Sequence, residues 1–122
     1  MSLAVKRVYE PPSPKDGCRV LVDRLWPRGL KKEDAALDLW VKEVGPSREL
    51  RQWFGHEPTR WEGFRHRYAG ELDATPDAWH ALAEKARRGR VTLLFGARDE
   101  EHNNAVALKA YLESYLAAHG PH

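Results

Sequence analysis

Cys18-Arg19-Val20-Leu21-Val22-Asp23-Arg24-Leu25-Trp26-Pro27-Arg28-Gly29 is the stretch on which the reading of this chain turns. Its first half is apolar nearly throughout, as a β-strand covered on both faces must be. The run then meets Asp23, Arg24 and Trp26 and stops at Pro27 and Gly29, residues that punctuate a loop. A strand of this kind belongs to a parallel sheet in an α/β protein, where ligands bind outside the carboxyl ends of the strands. Two guanidinium groups, on Arg24 and Arg28, stand at that end. Arginine stays charged and presents a planar fork of donors, so they imply an anionic or carboxylate partner.

On the amino-terminal side, Leu3 to Tyr9 reads as a first strand, and Glu10 to Gly17, with its three prolines, as a loop. On the other side the chain reads as helical. Leu37, Trp40, Val41 and Val44 fall at i, i+3, i+4 and i+7 and predict a helix ended by Gly45-Pro46. Ser47 is placed to cap a helix carrying Leu50, Trp53 and Phe54, which Gly55-His56-Glu57-Pro58 breaks. Trp61, Phe64, Tyr68 and Leu72 form the stripe of the next helix. Thr75-Pro76-Asp77 opens another, with Trp79, Leu82, Ala83 and Ala86 buried and Gly89 as its C′ residue. Val91 to Phe95 is a third strand. Asp99 is expected to cap a last helix, whose apolar face is Ala105, Leu108, Leu112 and Tyr115 or Leu116. A multi-helix crossover between the second and third strands requires them to run parallel. The expected fold is one small α/β domain over residues 1–122, with a core over about 4–118 and a short tail at 119–122. It has three layers, a mostly parallel three-stranded sheet with helices on both faces.

Composition narrows the classes. The chain has 122 residues, 42% hydrophobic and 31% charged, which is ordinary for a globular domain. Twenty basic and 18 acidic side chains leave a formal charge of +2, too balanced to announce a nucleic-acid binder. The single cysteine, Cys18, excludes an internal disulfide and a cysteine-rich zinc site, and reads as a small buried hydrophobe. No apolar run reaches the length of a membrane span, and the first residues lack a signal-peptide core, so a cytoplasmic address without membrane contact is expected. The five tryptophans read chiefly as filler for a small core. Arginines interleave with aromatics between Arg48 and Tyr68, but the aromatics share one helical stripe that the arginines mostly avoid, which describes a buried face beside a solvated one.

Three segments resemble a known family: V-D-R-L-W-P-R-G-L at Val22–Leu30, Phe64–Tyr68, and L-F-G-A-R-D-E-E-H-N-N-A at Leu94–Ala105. From about Val5 to Leu116 the chain is similar to the short, YeaO-like bacterial members of the family called domain of unknown function 488. The resemblance implies a fold and a cytoplasmic bacterial setting, and no activity. Longer relatives carry V-D-V-R-x-x-P at the second strand and C-H-R after the last one. Here that last loop reads Arg98-Asp99-Glu100-Glu101-His102-Asn103-Asn104, without cysteine, so the resemblance argues against thiol chemistry. Asp23, Arg24, Pro27 and, more loosely, His102 are the positions that carry over.

The candidate site follows from strand ends. Arg24 and Arg28 leave the second strand and Arg98 leaves the third, so the three are expected to converge near the start of the last helix, whose dipole favours an anion. The alternative role for Arg24 and Arg28 is ion pairing with Asp23, Asp34 or Asp99. Asp23 is the candidate base and His102 a candidate acid or base. Arg24, Trp26, Arg28, Arg98, Asp99 and Asn103 are the candidate ligand contacts. Trp26 either lines a pocket mouth or lids the core, and His56 either joins the site or caps a helix. No HExxH, CxxC, P-loop or GxGxxG pattern occurs, so no metal is assigned and the cofactor stays unknown. The sequence favours a small anionic ligand bound at the strand ends, with acid–base catalysis as an option. The alternative is a non-catalytic module for nucleic acid or a protein partner. Oligomeric state is not legible.

Overall fold

The computed structural model describes residues 2–119. Four strands, β1 (Ser2–Arg7), β2 (Cys18–Leu21), β3 (Leu39–Trp40) and β4 (Arg90–Phe95), form one sheet in the order β1-β4-β2-β3, and every pairing is parallel. The helices are α1 (Lys32–Ala35), α2 (Arg48–Phe54), α3 (Trp61–Asp73), α4 (Pro76–Arg88) and α5 (Asn104–Ala118). Parallel pairing sends all four carboxyl ends to one edge, and the candidate site lies along that edge.

The central position of β4 follows from its composition. Val91 to Phe95 are all buried, as a strand flanked on both sides and covered on both faces requires. Alternate side chains serve opposite layers. Val91, Leu93 and Phe95 join Leu3, Val20 and Val22 in the main core under α2–α5. Leu94 joins Val8, Leu21 and Ala35 in a smaller cluster on the other face, covered by α1 and by Trp26, Leu30 and Leu37. The fold is therefore α/β with helices on both faces, as expected, but the two layers are very unequal.

The thin layer is held by charge. Arg19 and Asp16 are both buried. The Arg19 guanidinium donates to Asp16 Oδ2 (2.5 Å), Ala35 O (2.8 Å) and Ala36 O (2.9 Å), tying α1 and the turn before β2 to the sheet. Lys6 Nζ reaches the same carboxylate at 3.1 Å. Burial pushes the Asp16 carboxyl up, but the Ser13 amide, Lys6 and Arg19 outweigh it and hold the group below its ordinary value.

Several local expectations need correction. The helix expected over Leu37–Val44 is absent. Leu39 and Trp40 are instead the fourth strand, paired with Val20 and Leu21, and Lys42–Val44 is a 3-10 turn. The open edge of β2 claims this backbone: Asp38 N donates to Arg19 O (2.9 Å), Val41 N donates to Leu21 O (3.0 Å), and Asp38 Oδ2 accepts from Arg19 N (2.8 Å). The four apolar residues do not share a face either. Leu37 packs in the small cluster, Val44 in the main core, and Trp40 is exposed. β1 runs Ser2–Arg7 rather than Leu3–Tyr9, and β2 ends at Leu21, with Val22 N adding one more bond to Leu94 O. Asp99 does not cap α5. Asn103 does, its side chain accepting from Val106 N (3.0 Å), because the helix begins at Asn104 and Asp99 lies too far upstream. Thr75 turns its hydroxyl back to Glu71 O instead of capping α4, and Gly89 ends that helix in an extended conformation. The Ser47 cap is formed, accepting from Leu50 N (3.1 Å).

Only Trp79 among the five tryptophans is a buried core residue; Trp26, Trp53 and Trp61 are half-buried and Trp40 is exposed. Arg60 and Arg67 stack on Trp53. Cys18 is half-buried beside the main core, and burial pushes its thiol up. Of the tail expected at 119–122, Gly120, Pro121 and His122 lie outside the described residues. Among the described residues no helix is long and apolar enough to cross a membrane, and no group of three or more His, Cys, Asp or Glu side chains is placed to hold a metal ion.

Candidate functional site

A cavity of about 420 Å³ opens at the carboxyl edge, between the loop after β2, the loop after β4, and α2 with α3. That volume lies in the range of small-molecule sites. Aromatic and apolar side chains make much of its wall: Tyr9, Leu25, Trp26, Phe54 and Phe64. Its charged lining is Asp23, Arg24, Arg28 and Arg51, with His56 and His102 beside them. Three cations against one carboxylate leave the cavity basic although the whole chain is nearly neutral.

Asp23 follows β2 and is held by its neighbours on both sides. Its Oδ2 accepts from Gly96 N (2.8 Å), in the loop after β4, and its carbonyl accepts from Trp40 Nε1 (2.8 Å). Gly96 leaves room for this bond, since a Cβ there would stand a tight 3.2 Å from that carboxylate oxygen. Burial pushes the Asp23 carboxyl above its ordinary value, against the Gly96 amide, the Asn104 side chain and the Arg51 charge, which all favour ionisation. Asn104 is anchored in turn by donating to Val22 O (3.0 Å).

The arginines differ from the sequence reading. Among the described residues Arg24 pairs with no acid; its guanidinium donates to Gly45 O (2.6 Å) and Pro46 O (3.1 Å), stapling the β2 loop to the segment before α2. Gly45 permits this approach, because a Cβ there would meet the Arg24 amide nitrogen at 2.9 Å. Arg28 is exposed at the rim, where its carbonyl accepts from Tyr9 Oη (2.7 Å). Arg98 and Asp99 are not among the cavity-lining residues, so the third convergent arginine is not Arg98. It is Arg51, which the sequence reading missed. Its Nε is buried without a hydrogen-bond partner among the described residues. The available signal was helical spacing: Arg51 sits three residues before Phe54, on the same face of α2 as that buried ring.

His102 lines the cavity through a device that uses Asp99. Asp99 Oδ1 accepts from the amides of Glu101 (2.9 Å) and His102 (3.0 Å), and its Oδ2 lies 2.9 Å from His102 Nδ1. These bonds, the Glu101 amide first, hold the Asp99 carboxyl below its ordinary value. The imidazole packs nearly perpendicular to Trp61, with ring centroids 5.3 Å apart at 82°. With Nδ1 engaged, Nε2 is the ring nitrogen left for the cavity. His56 also lines it, at a positive φ of 59° directly after the left-handed Gly55. Non-glycine residues adopt that conformation uncommonly, and histidine is among the few enriched there. Trp26 serves both roles the sequence allowed: it packs against the small core cluster and lines the cavity, its Nε1 donating to Leu30 O (2.8 Å). Asn103, the α5 cap, completes the wall with Asn104. Among the lining residues there is no cysteine, serine, threonine or lysine.

Fold and site together define a parallel α/β protein with a basic, aromatic-walled cavity at the carboxyl edge of its sheet. Residues 2–121 match the family described as the inactive DUF488-N3 subclade, and the chain belongs to that family. It is 45% identical over 114 residues to the uncharacterized protein YeaO of Escherichia coli (strain K12), covering 93% of this chain and 99% of that one. It is 42% identical over 111 residues to the uncharacterized protein Rv3073c of Mycobacterium tuberculosis (strain ATCC 25618 / H37Rv), and equally to Mb3100c of Mycobacterium bovis (strain ATCC BAA-935 / AF2122/97). These matches cover 88% of this chain and 91% of each relative. No solved structure matches the chain significantly.

Proposed function

We propose that the cavity binds a small organic anion, a phosphate or carboxylate carried on an apolar or aromatic body, and that it binds without turnover. One observation carries this reading: three guanidinium side chains, on Arg24, Arg28 and Arg51, line one cavity whose only carboxylate among the described residues is Asp23. An anionic oxygen among these guanidiniums gains charge-assisted hydrogen bonds, each worth about 1.5–3 kcal/mol. The aromatic wall supplies the rest of the affinity, and the volume far exceeds what a bare phosphate fills.

Asp23 and His102 then act as contacts that fix the ligand's orientation, not as an acid–base pair. The family's description as inactive supports this, as does the lack of a thiol, hydroxymethyl or amine nucleophile in the wall. Oligonucleotide binding has less behind it. From Arg48 to Tyr68 the five arginines 48, 51, 60, 65 and 67 face acids at 49, 57 and 62, and Arg65 pairs with Glu62, so this segment offers little free positive charge for phosphates.

Isothermal titration with phenyl phosphate, benzoate and inorganic phosphate tests the proposal. Phenyl phosphate or benzoate should bind more tightly than inorganic phosphate, and Arg51→Met should weaken that binding at least tenfold. The absence of binding to all three, or binding that Arg51→Met leaves intact, overturns it.

A further inference from the structure

We infer that Asp99 and His102 form a proton-coupled anion contact, so that the ligand enters this cavity together with a proton taken up on His102 Nε2. The inference rests on the anion-binding reading above. Its basis is the geometry of the ring. Nδ1 lies 2.9 Å from Asp99 Oδ2, and that carboxylate is itself fixed by two backbone amides, so the side of the ring that carries its neutral-state hydrogen is set. The edge contact with Trp61 sets the ring plane. In neutral His102, Nε2 offers a lone pair, which an anionic oxygen cannot accept. Once protonated, the same atom donates a charge-assisted hydrogen bond, and Asp99 balances the ring charge. The step is balanced: solvent gives one proton, one N–H bond forms, and nothing in the protein or ligand is broken. Asp99 is here a positioning residue, since it does not line the cavity.

The charged groups around the ring favour this coupling. Glu100 and Glu101 share its loop, and Asp99 holds it. Across the cavity stand Asp23, Arg24 and Arg28 after β2, Arg51 on α2 and His56 after it; α3 presents the uncharged Trp61. The arginines keep their charge, so a change in binding between about pH 5 and 8 must come from His102, His56 or Asp23. Burial raises the Asp23 carboxyl, so Asp23 is the competitor that the test has to separate.

Benzenesulfonate is the suitable probe, because it stays anionic across this range and any pH dependence then belongs to the protein. Titration calorimetry at about pH 5.5 and 8, in two buffers of different ionisation enthalpy, should give roughly tenfold tighter binding at the lower pH, with net proton uptake on binding. His102→Gln should flatten the profile, Asp99→Asn should move it to lower pH, and Asp23→Asn should leave its slope. Nitrogen NMR of the wild-type His102 ring, which needs no variant, should show Nε2 gaining a proton when the probe is added. Equal affinity at both pH values overturns the inference while leaving the anion site standing. A slope that survives His102→Gln, or is lost in Asp23→Asn, also overturns it. No binding at either pH removes the anion-binding reading and this inference with it.

Discussion

Arg51→Met should raise the stability of the free protein while weakening its anion binding. In the wild type the buried Nε lacks an acceptor, which costs about 1–3 kcal/mol. Methionine keeps a stem of similar reach and removes the unpartnered Nε. What is lost is the attraction between Arg51 and Asp23, which favours the ionised carboxylate. That carboxylate keeps its bond from the Gly96 amide, so the loss is about 1 kcal/mol, on the scale of a partly solvated pair. The balance is a gain of about 1 kcal/mol, or an upward Tm shift of about 4 °C for a domain of this size. Binding of phenyl phosphate should fall by about 1.5–3 kcal/mol, the contribution of a hydrogen bond to a charged group, which is at least tenfold in Kd. Urea denaturation and calorimetric titration on the same preparations measure both. A variant that loses more than about 1 kcal/mol of stability would refute the reasoning, because Arg51 would then be a structural residue whose Nε costs nothing.

Other consequences concern the frame of the site. Arg19→Met leaves Asp16 and two helix-end carbonyls without their donor, and should cost about 3–5 kcal/mol in urea denaturation, as loss of one partner from a buried pair does. Asn103→Ala should cost about 1 kcal/mol by removal of the α5 cap, and more than Asp99→Ala, which touches no helix amide; the reverse order would restore Asp99 as the cap. Asp16 has a lowered carboxyl in the folded state, so its contribution is present above the ordinary carboxylate value and disappears as pH falls through the folded one; wild type should lose stability below about pH 4, and Asp16→Asn should show a smaller loss. Asp23 has the opposite sign. Its raised carboxyl binds protons more tightly folded than unfolded, so Asp23→Asn should be more stable than wild type at pH 7, with the gap closing as pH falls toward about 4.

Much of the frame was legible because its signals are local. The stripe Phe64, Tyr68 and Leu72, the Ser47 cap and the buried run Val91–Phe95 each follow from periodicity or from one hydrogen bond within a turn. Leu37 to Val44 misled because a helical spacing can arise without a shared face, and the deciding event was a strand edge on β2 open to pairing. Asp99 misled because any acid in the loop before a helix satisfies the composition of a cap, whereas capping depends on which residue is one step from the first helical turn.

The sequence by itself determined the α/β class, the parallel relation of β2 and β4, and the strand-end position of Asp23, Arg24, Trp26 and Arg28. Each rests on neighbours along the chain, whose geometry backbone and periodicity dictate. Only the tertiary structure decided which arginine turns into the cavity, that Arg24 is spent on Gly45 and Pro46, and that Asp99 works through His102. Side chains separated by whole helices meet through the packing of α2 and α3 against the sheet. A guanidinium's partner is chosen by distances of a few ångströms that no spacing in the chain encodes.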